Sequence, residues 1–220
     1  YLTLGNSNAT YMIVQDTSGE AQLVNLNSKE TYTPFVCPAG IVQLSPDGNT
    51  CLAVKNYKID WQNDYTGYVL YNTRTGQKIM DANGFNCREI GYGSAAFAPD
   101  GRSISIADST DSLSIFSTAD GSLLRRIKMQ WPMPTALCYT PDAKHIVYGS
   151  FQGQLGAIDM ESGSTRFVYN ELYGEPIMQL LISPRGKYLA ATTRKLTVAE
   201  WEPDWEFTPA EGEEYFPAAN

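Results

Sequence analysis

The sequence predicts an all-β chain built from five repeated units of four short antiparallel strands. Three observations predict this fold class: a proline-containing tight turn recurs, alternating apolar and polar residues follow each turn, and no stretch shows the apolar period of an amphipathic helix. With 220 residues, 43% of them hydrophobic, the chain is long enough to bury a sizeable core.

The recurring turn is the first landmark of a unit. It occupies residues 44–48, 97–101, 139–143 and 182–186, with the sequences LSPDG, FAPDG, YTPDA and ISPRG. Proline presets φ at one central position of such a turn, and glycine tolerates the positive φ that follows. In the first unit, residues 5–9 take the place of this turn.

The second landmark is a bulky residue followed by a polar one, at the end of an alternating segment. The pairs are Val24-Asn25, Tyr71-Asn72, Phe116-Ser117, Ile158-Asp159 and Trp201-Glu202. The turn proline precedes the bulky residue by 17 residues in the third, fourth and fifth units but by 25 in the second. The second unit therefore carries an insertion of eight residues, within residues 56–67.

Short strands fill the space between these landmarks. Those predicted in the third unit are Ala95–Ala98, Ser103–Ala107, Leu113–Ser117 and Leu123–Lys128. Those predicted in the fifth are Ile177–Ile182, Tyr188–Thr192 and Leu196–Trp201. Residues 207–220 hold three Glu and two Pro, which favours a surface tail over a fourth strand.

Four strands in a repeat of about 42 residues are typical of a β-propeller blade. The predicted blades are approximately residues 1–38, 39–92, 93–133, 134–175 and 176–207, followed by an acidic C-terminal tail at 208–220. A missing fourth strand and a first residue other than Met favour part of a larger ring. In that case missing blades or a partner chain would complete it, and closure with five blades is the alternative.

The turns and the bulky-polar pairs resemble those of WD-repeat and related β-propeller proteins, in a degenerate form of bacterial type. The pairs occupy the slot in which that family places Trp-Asp, and only Ile158-Asp159 keeps the Asp. No Gly-His dipeptide is present, so the family's usual His–Asp hydrogen-bond network is not expected. The resemblance covers residues 1 to about 207, and residues 204–207 are similar to a segment that often follows the last blade. It implies a fold and no particular function.

Composition excludes several functions. The net charge of −8 disfavours nucleic acid and anionic membrane surfaces, and no apolar run approaches the length of a membrane span. One histidine, His145, and four cysteines without C-x-x-C spacing predict no metal and no cofactor. A G-x-G-x-x-A match at residues 91–96 runs into a turn instead of a helix. The scattered thiols favour a reducing, cytoplasmic compartment.

Aromatic residues gather on one predicted loop face. The insertion is predicted to be a polar loop with three of them, and loops between blades add Phe35 and others. The candidate partner-binding residues are Tyr57, Trp61, Tyr65, Phe85, Tyr92, Trp131 and Tyr173. Aromatic anchors bury much area at low entropic cost, although the same rings could instead pack the insertion onto neighbouring blades. Acidic residues near this face would favour a basic partner or form a solvated rim; they are Asp60, Asp64, Glu89, Glu171 and Glu175.

These observations favour a non-catalytic scaffold that binds a protein or peptide through the loop face. One alternative is a propeller module that docks or gates a catalytic domain, such as a kinase or hydrolase, absent from this chain. A second alternative is a propeller enzyme such as a lactonase or glycosidase. That chemistry needs converging carboxylates, a metal or a histidine at the channel mouth, and the sequence offers one histidine and no motif.

Overall fold

A computed structural model describes residues 2–5, 10–37, 40–60, 63–86, 94–107, 112–129, 134–169, 174–193, 196–201 and 207–209. Within these ranges every regular element is a β-strand, and the strands form five antiparallel sheets of four strands each. The predicted all-β class is therefore confirmed. Each sheet is a meander whose strands pair in chain order.

The sheets are numbered in chain order. Sheet 1 contains β1 (Leu2–Gly5), β2 (Tyr11–Gln15), β3 (Glu20–Asn25) and β4 (Phe35–Val36). Sheet 2 contains β5 (Gly40–Leu44), β6 (Thr50–Asp60), β7 (Asn63–Asn72) and β8 (Lys78–Asn86). Sheet 3 contains β9 (Ala95–Phe97), β10 (Ser103–Ala107), β11 (Ser112–Ser117) and β12 (Leu123–Lys128). Sheet 4 contains β13 (Pro134–Tyr139), β14 (His145–Ser150), β15 (Leu155–Asp159) and β16 (Thr165–Tyr169). Sheet 5 contains β17 (Gln179–Ile182), β18 (Tyr188–Thr192), β19 (Leu196–Trp201) and β20 (Phe207–Pro209).

The recurring turns join the first two strands of sheets 2 to 5, as predicted. In sheet 2 the amide of Gly48 donates to the carbonyl of Ser45, and Gly48 has a φ of 72°. The Ser45 hydroxyl accepts the amide of Thr50 at 3.0 Å and donates to Asp47 at 2.6 Å. The hydroxyl before the proline thus fastens both sides of the turn. In sheet 4 the glycine position is Ala143, which adopts a φ of 59°.

The core consists of four hydrophobic clusters, each formed where one sheet packs against the next. The cluster between sheets 1 and 2, for example, joins Ile13 and Leu23 to Cys51 and Val69, all at most 2% exposed. Corresponding clusters join sheets 2 and 3, sheets 3 and 4, and sheets 4 and 5. No cluster among the described side chains joins sheet 5 to sheet 1. The bulky slot contributes to this core, since Ile158 is fully buried and Tyr71 is 8% exposed.

Hydrogen bonds also cross between successive sheets. The Tyr68 hydroxyl lies 2.5 Å from the Ser94 hydroxyl at the junction of sheets 2 and 3. The Thr135 hydroxyl of sheet 4 donates to the carbonyl of Ile177 at 2.6 Å, just before sheet 5. Between sheets 1 and 2, the Arg74 guanidinium stacks over the Tyr32 ring at 3.7 Å. These polar contacts specify which sheets are neighbours better than apolar packing alone does, because each contact requires a particular partner in a particular geometry.

Two predictions for this fold were wrong. The insertion in the second unit is not a loop, because β6 and β7 continue as paired strands through most of it. The fifth unit does have a fourth strand: Phe207–Pro209 pairs with β19, with Trp201 opposite Phe207. This strand is short and ends in proline, which an outermost strand tolerates because its free edge needs no donor. Thr208 and Pro209 therefore belong to sheet 5 and not to a tail.

Candidate partner-binding site

Three strands of sheet 2 are longer than the corresponding strands of the other sheets. β6 has 11 residues, β7 has 10 and β8 has 9, whereas the central strands of sheet 4 have 6 and 5. The first strand, β5, pairs with β6 only from Cys51 to Val54. Past Val54 the three strands continue without β5, and we call residues 55–60, 63–67 and 83–86 the ribbon.

Register places three of the predicted binding residues in the ribbon. Tyr57 lies directly opposite Tyr65, and Tyr65 lies opposite Asn86 on the other side. Directly opposed residues of an antiparallel pair share one face of a sheet, so Tyr57 and Tyr65 belong to the same face. Phe85 lies opposite Thr66 and therefore belongs to the other face. Phe85 was predicted to lie in a loop between blades, and its position within β8 corrects that prediction.

The other predicted binding residues are not brought into this arrangement. Trp61, Tyr92, Trp131 and Tyr173 lie outside the described residues. Phe35, expected in a loop between blades, is instead in β4, 7% exposed, with its ring 6.3 Å from that of Tyr71. It is a core residue of the contact between sheets 1 and 2.

Only two of the five predicted acidic residues, Asp60 and Asp64, lie in the ribbon. Asp60 is the last residue of β6, and Asp64 lies opposite Lys58 across the hairpin. A lysine opposite a carboxylate in register is a favourable cross-strand pair, so the ribbon is not uniformly acidic. Glu175 is half-buried before sheet 5, and Glu89 and Glu171 lie outside the described residues. The predicted acidic face is therefore not assembled by the described part of the chain.

The base of the ribbon is held firmly between sheets 2 and 3. Tyr68, the residue after the ribbon in β7, is 1% exposed and packs in the cluster that joins the two sheets. Its hydroxyl meets Ser94, which is fully buried, and the Gln43 amide donates to the carbonyl of Ala95 at 3.2 Å. A strand pair that leaves such a base continues in a set direction, because its register and its first pleat are fixed by the core.

The only histidine of the sequence has a close contact with a carboxylate that was not expected. His145, the first residue of β14, has its Nε2 atom 3.4 Å from Oδ2 of Asp159, which lies opposite it in β15. The Ser162 amide and hydroxyl donate to Asp159 at 2.7 Å each. These hydrogen bonds, with His145 nearby, hold the pKa of Asp159 below its ordinary value. The contact joins the start of β14 to the end of β15, at the end of this hairpin away from its turn.

The described thiols lack the setting of reactive cysteines. Cys37 and Cys51 are buried between sheets 1 and 2, and burial raises the pKa of the Cys51 thiol far above its ordinary value. Cys138 is partly buried and packs against the cluster between sheets 4 and 5. Within the part of the chain that the structure describes, no group of three or more His, Cys, Asp or Glu side chains could hold a metal ion.

The comparisons with known proteins add no relative. No family model matches the chain, and a search of the curated proteins finds no match. Among the described residues there is no helix of the length and apolar character that crossing a bilayer requires.

Proposed function

We propose that this chain is a non-catalytic scaffold of the β-propeller type, which binds a protein or peptide through the ribbon of sheet 2. The observation that carries the proposal is the register of the ribbon, in which Tyr57 lies opposite Tyr65 beyond the end of β5. Five sheets packed in series support the propeller arrangement, since blades of a propeller pack in that way.

The ribbon offers two kinds of interaction to an extended peptide. Past Val54 no strand among the described residues pairs with β6 on the side away from β7. An added peptide strand would pair with the backbone N–H and C=O groups of β6 on that side. Two tyrosines on one face then supply apolar area with a polar tip, at a low cost in side-chain entropy.

The anchored base supports binding without further ordering of the protein. Tyr68 and Ser94 hold β7 in place before any partner arrives, so less of the interaction free energy is lost to immobilising the site. The net charge of −8 supports a protein or peptide partner over a nucleic acid or an anionic membrane, because phosphate groups would be repelled. No observation within the described ranges favours the gating module or the propeller enzyme over the scaffold.

A differential peptide selection tests the proposal. A random-peptide library displayed on phage is selected on the intact chain and counter-selected on a variant that lacks residues 57–64. This variant shortens the second unit to the hairpin length of the third unit. We expect peptides that bind the intact chain and not the shortened one.

Point variants then locate the binding. We expect Tyr57→Ala combined with Tyr65→Ala to weaken the selected peptides by a factor of about 30, since loss of a true anchor costs about 2 kcal/mol or more. Trp61→Ala tests the residue between the two strands. Leu124→Ala is the matched control, because Leu124 is 59% exposed on β12 of sheet 3. Peptides that bind the intact and the shortened chains equally would contradict the proposal.

A further inference from the structure

Each internal sheet has two covered faces. We call the face toward the next sheet the leading face and the opposite one the trailing face. The leading face of sheet 4 consists of Ala136, Cys138, Val147, Leu155 and Ala157, which pack on sheet 5. The turn prolines Pro141 and Pro184 are 43 residues apart, so the equivalent positions in sheet 5 are Gln179, Leu181, Ala190, Val198 and Glu200.

In sheet 5 two of these positions, Gln179 and Leu181, are exposed, and a third, Ala190, is half-buried. On its trailing face Leu180, Leu189 and Ala191 are at most 4% exposed, whereas Leu181 on the leading face is 54% exposed. Leu181 lies opposite Ala190, and Tyr188, two residues before Ala190, is 39% exposed. The trailing face of sheet 5 is thus buried, whereas its leading face presents apolar side chains to solvent. The leading face of sheet 4, in contrast, is covered by sheet 5.

Sheet 1 shows the complementary situation. Its leading face is buried against sheet 2, and its trailing face carries Met12 opposite Val24 and Val14 opposite Gln22. These four side chains are half-buried and uncharged, and Glu20, which shares their face at the start of β3, is exposed. The structure describes both this face and Leu181, so the exposure of Leu181 means that sheet 1 of the same copy does not cover it.

We propose that the leading face of sheet 5 packs against the trailing face of sheet 1 in a second copy of this chain. The proposed contact repeats the four contacts within the chain. In each of those, the leading face of one sheet packs against the trailing face of the next sheet. It is heterologous, because the two copies contribute different surfaces. A two-fold contact of sheet 5 with itself would instead bring two leading faces together, which none of the four internal contacts does.

Sedimentation velocity over a range of concentrations tests the contact. We expect self-association of the intact chain, weakened about 100-fold by Leu181→Glu and by Val14→Glu, because each would bury an unpaired carboxylate. Leu124→Glu is the matched control, since Leu124 is 59% exposed on sheet 3 and lies in neither face. It is expected to associate like the intact chain.

Mixing the two variants separates the heterologous contact from other arrangements. Each variant keeps one intact face, so a 1:1 mixture of Leu181→Glu and Val14→Glu should form dimers that neither forms alone. Melting curves check folding, and Met12→Gln tests the same face if Val14→Glu lowers the melting temperature. An intact chain that is monomeric at every concentration overturns the proposal. So does association that survives both Val14→Glu and Met12→Gln, which would indicate a contact of sheet 5 with itself.

Discussion

Sheets 2 and 4 are built on the same repeat, yet only sheet 2 extends beyond it. In sheet 4 the hairpin between β14 and β15 turns at residues 151–154, and the Ser150 hydroxyl accepts the amides of Gln152 and Gln154. In sheet 2 the corresponding strands continue to Asp60 and resume at Asn63. The bulky slot is unaffected, since Tyr71 and Ile158 are both buried.

This comparison shows why an insertion of eight residues is compatible with the fold. The insertion lies at the hairpin end of β6 and β7, beyond their core residues, and the register shift between Lys58 and Asp60 falls within it. The core residues of both strands keep their faces, because cross-strand pairs such as Leu52 with Leu70 set the register on the core side of the insertion. The core sets the register, and the ribbon is free to vary in length and composition.

The largest expected effect comes from breaking the core at the slot that both sheets share. Ile158 is fully buried, so Ile158→Ala should lower the free energy of unfolding by about 2–5 kcal/mol through lost burial and the cavity left behind. The variant lacking residues 57–64 should stay within about 1 kcal/mol of the intact chain. Urea denaturation followed by circular dichroism measures both. Equal destabilisation by the two changes would show that the ribbon is part of the core.

Smaller effects are expected at the turns. Gly48 has a φ of 72°, and a Cβ added there would lie 2.5 Å from the Tyr11 ring. Gly48→Ala should therefore cost about 1–3 kcal/mol, from backbone strain and overpacking together. Ala143 of sheet 4 occupies the same turn position with a φ of 59°, so Ala143→Gly should stabilise by up to about 1 kcal/mol. Melting temperatures that move in the same direction for both variants would contradict this reasoning.

A third change tests the anchor of the ribbon. Tyr68→Phe keeps the buried ring and removes its hydrogen bond to Ser94, which should cost about 1 kcal/mol of stability. If this bond also positions the ribbon, the selected peptides should bind more weakly to Tyr68→Phe than to Gly48→Ala, which lies before the opposite end of β6 from the ribbon. A double-mutant cycle with Ser94→Ala measures the coupling between the two hydroxyls. Additive effects would mean that the bond does not act as a unit.

Most strands could be predicted because their signals are local. The predicted bounds of β10, β12, β18 and β19 are those observed, since turn residues and alternation mark both ends of each strand. β20 was missed because three residues ending in proline carry no alternation, and its pairing with β19 is a tertiary effect.

The candidate site was harder to predict than the fold. The polar composition of residues 56–67 indicates a loop, but the same residues alternate adequately for a hairpin once the core fixes their register. Phe35 was predicted to lie in a loop between blades, whereas packing against Tyr71 places it in the core. Signals that depend on a distant partner are not present in any local window.

The smallest expected effect concerns Asp159 of sheet 4, whose position in sheet 2 is occupied by Asn72. The pKa of Asp159 is lowered by its hydrogen bonds with Ser162 and by His145, so its carboxylate favours the folded state. This contribution is complete above the ordinary aspartate pKa and is lost as the pH falls through the lowered folded value. Asp159→Asn should therefore reduce stability near neutral pH, and the reduction should disappear below the lowered pKa. Urea midpoints between pH 7 and pH 2 measure this difference, with Asp81→Asn, whose partner Lys78 is exposed, as the surface control. A difference that persists unchanged at the lowest pH would show that the charge of Asp159 is not what stabilises the hairpin.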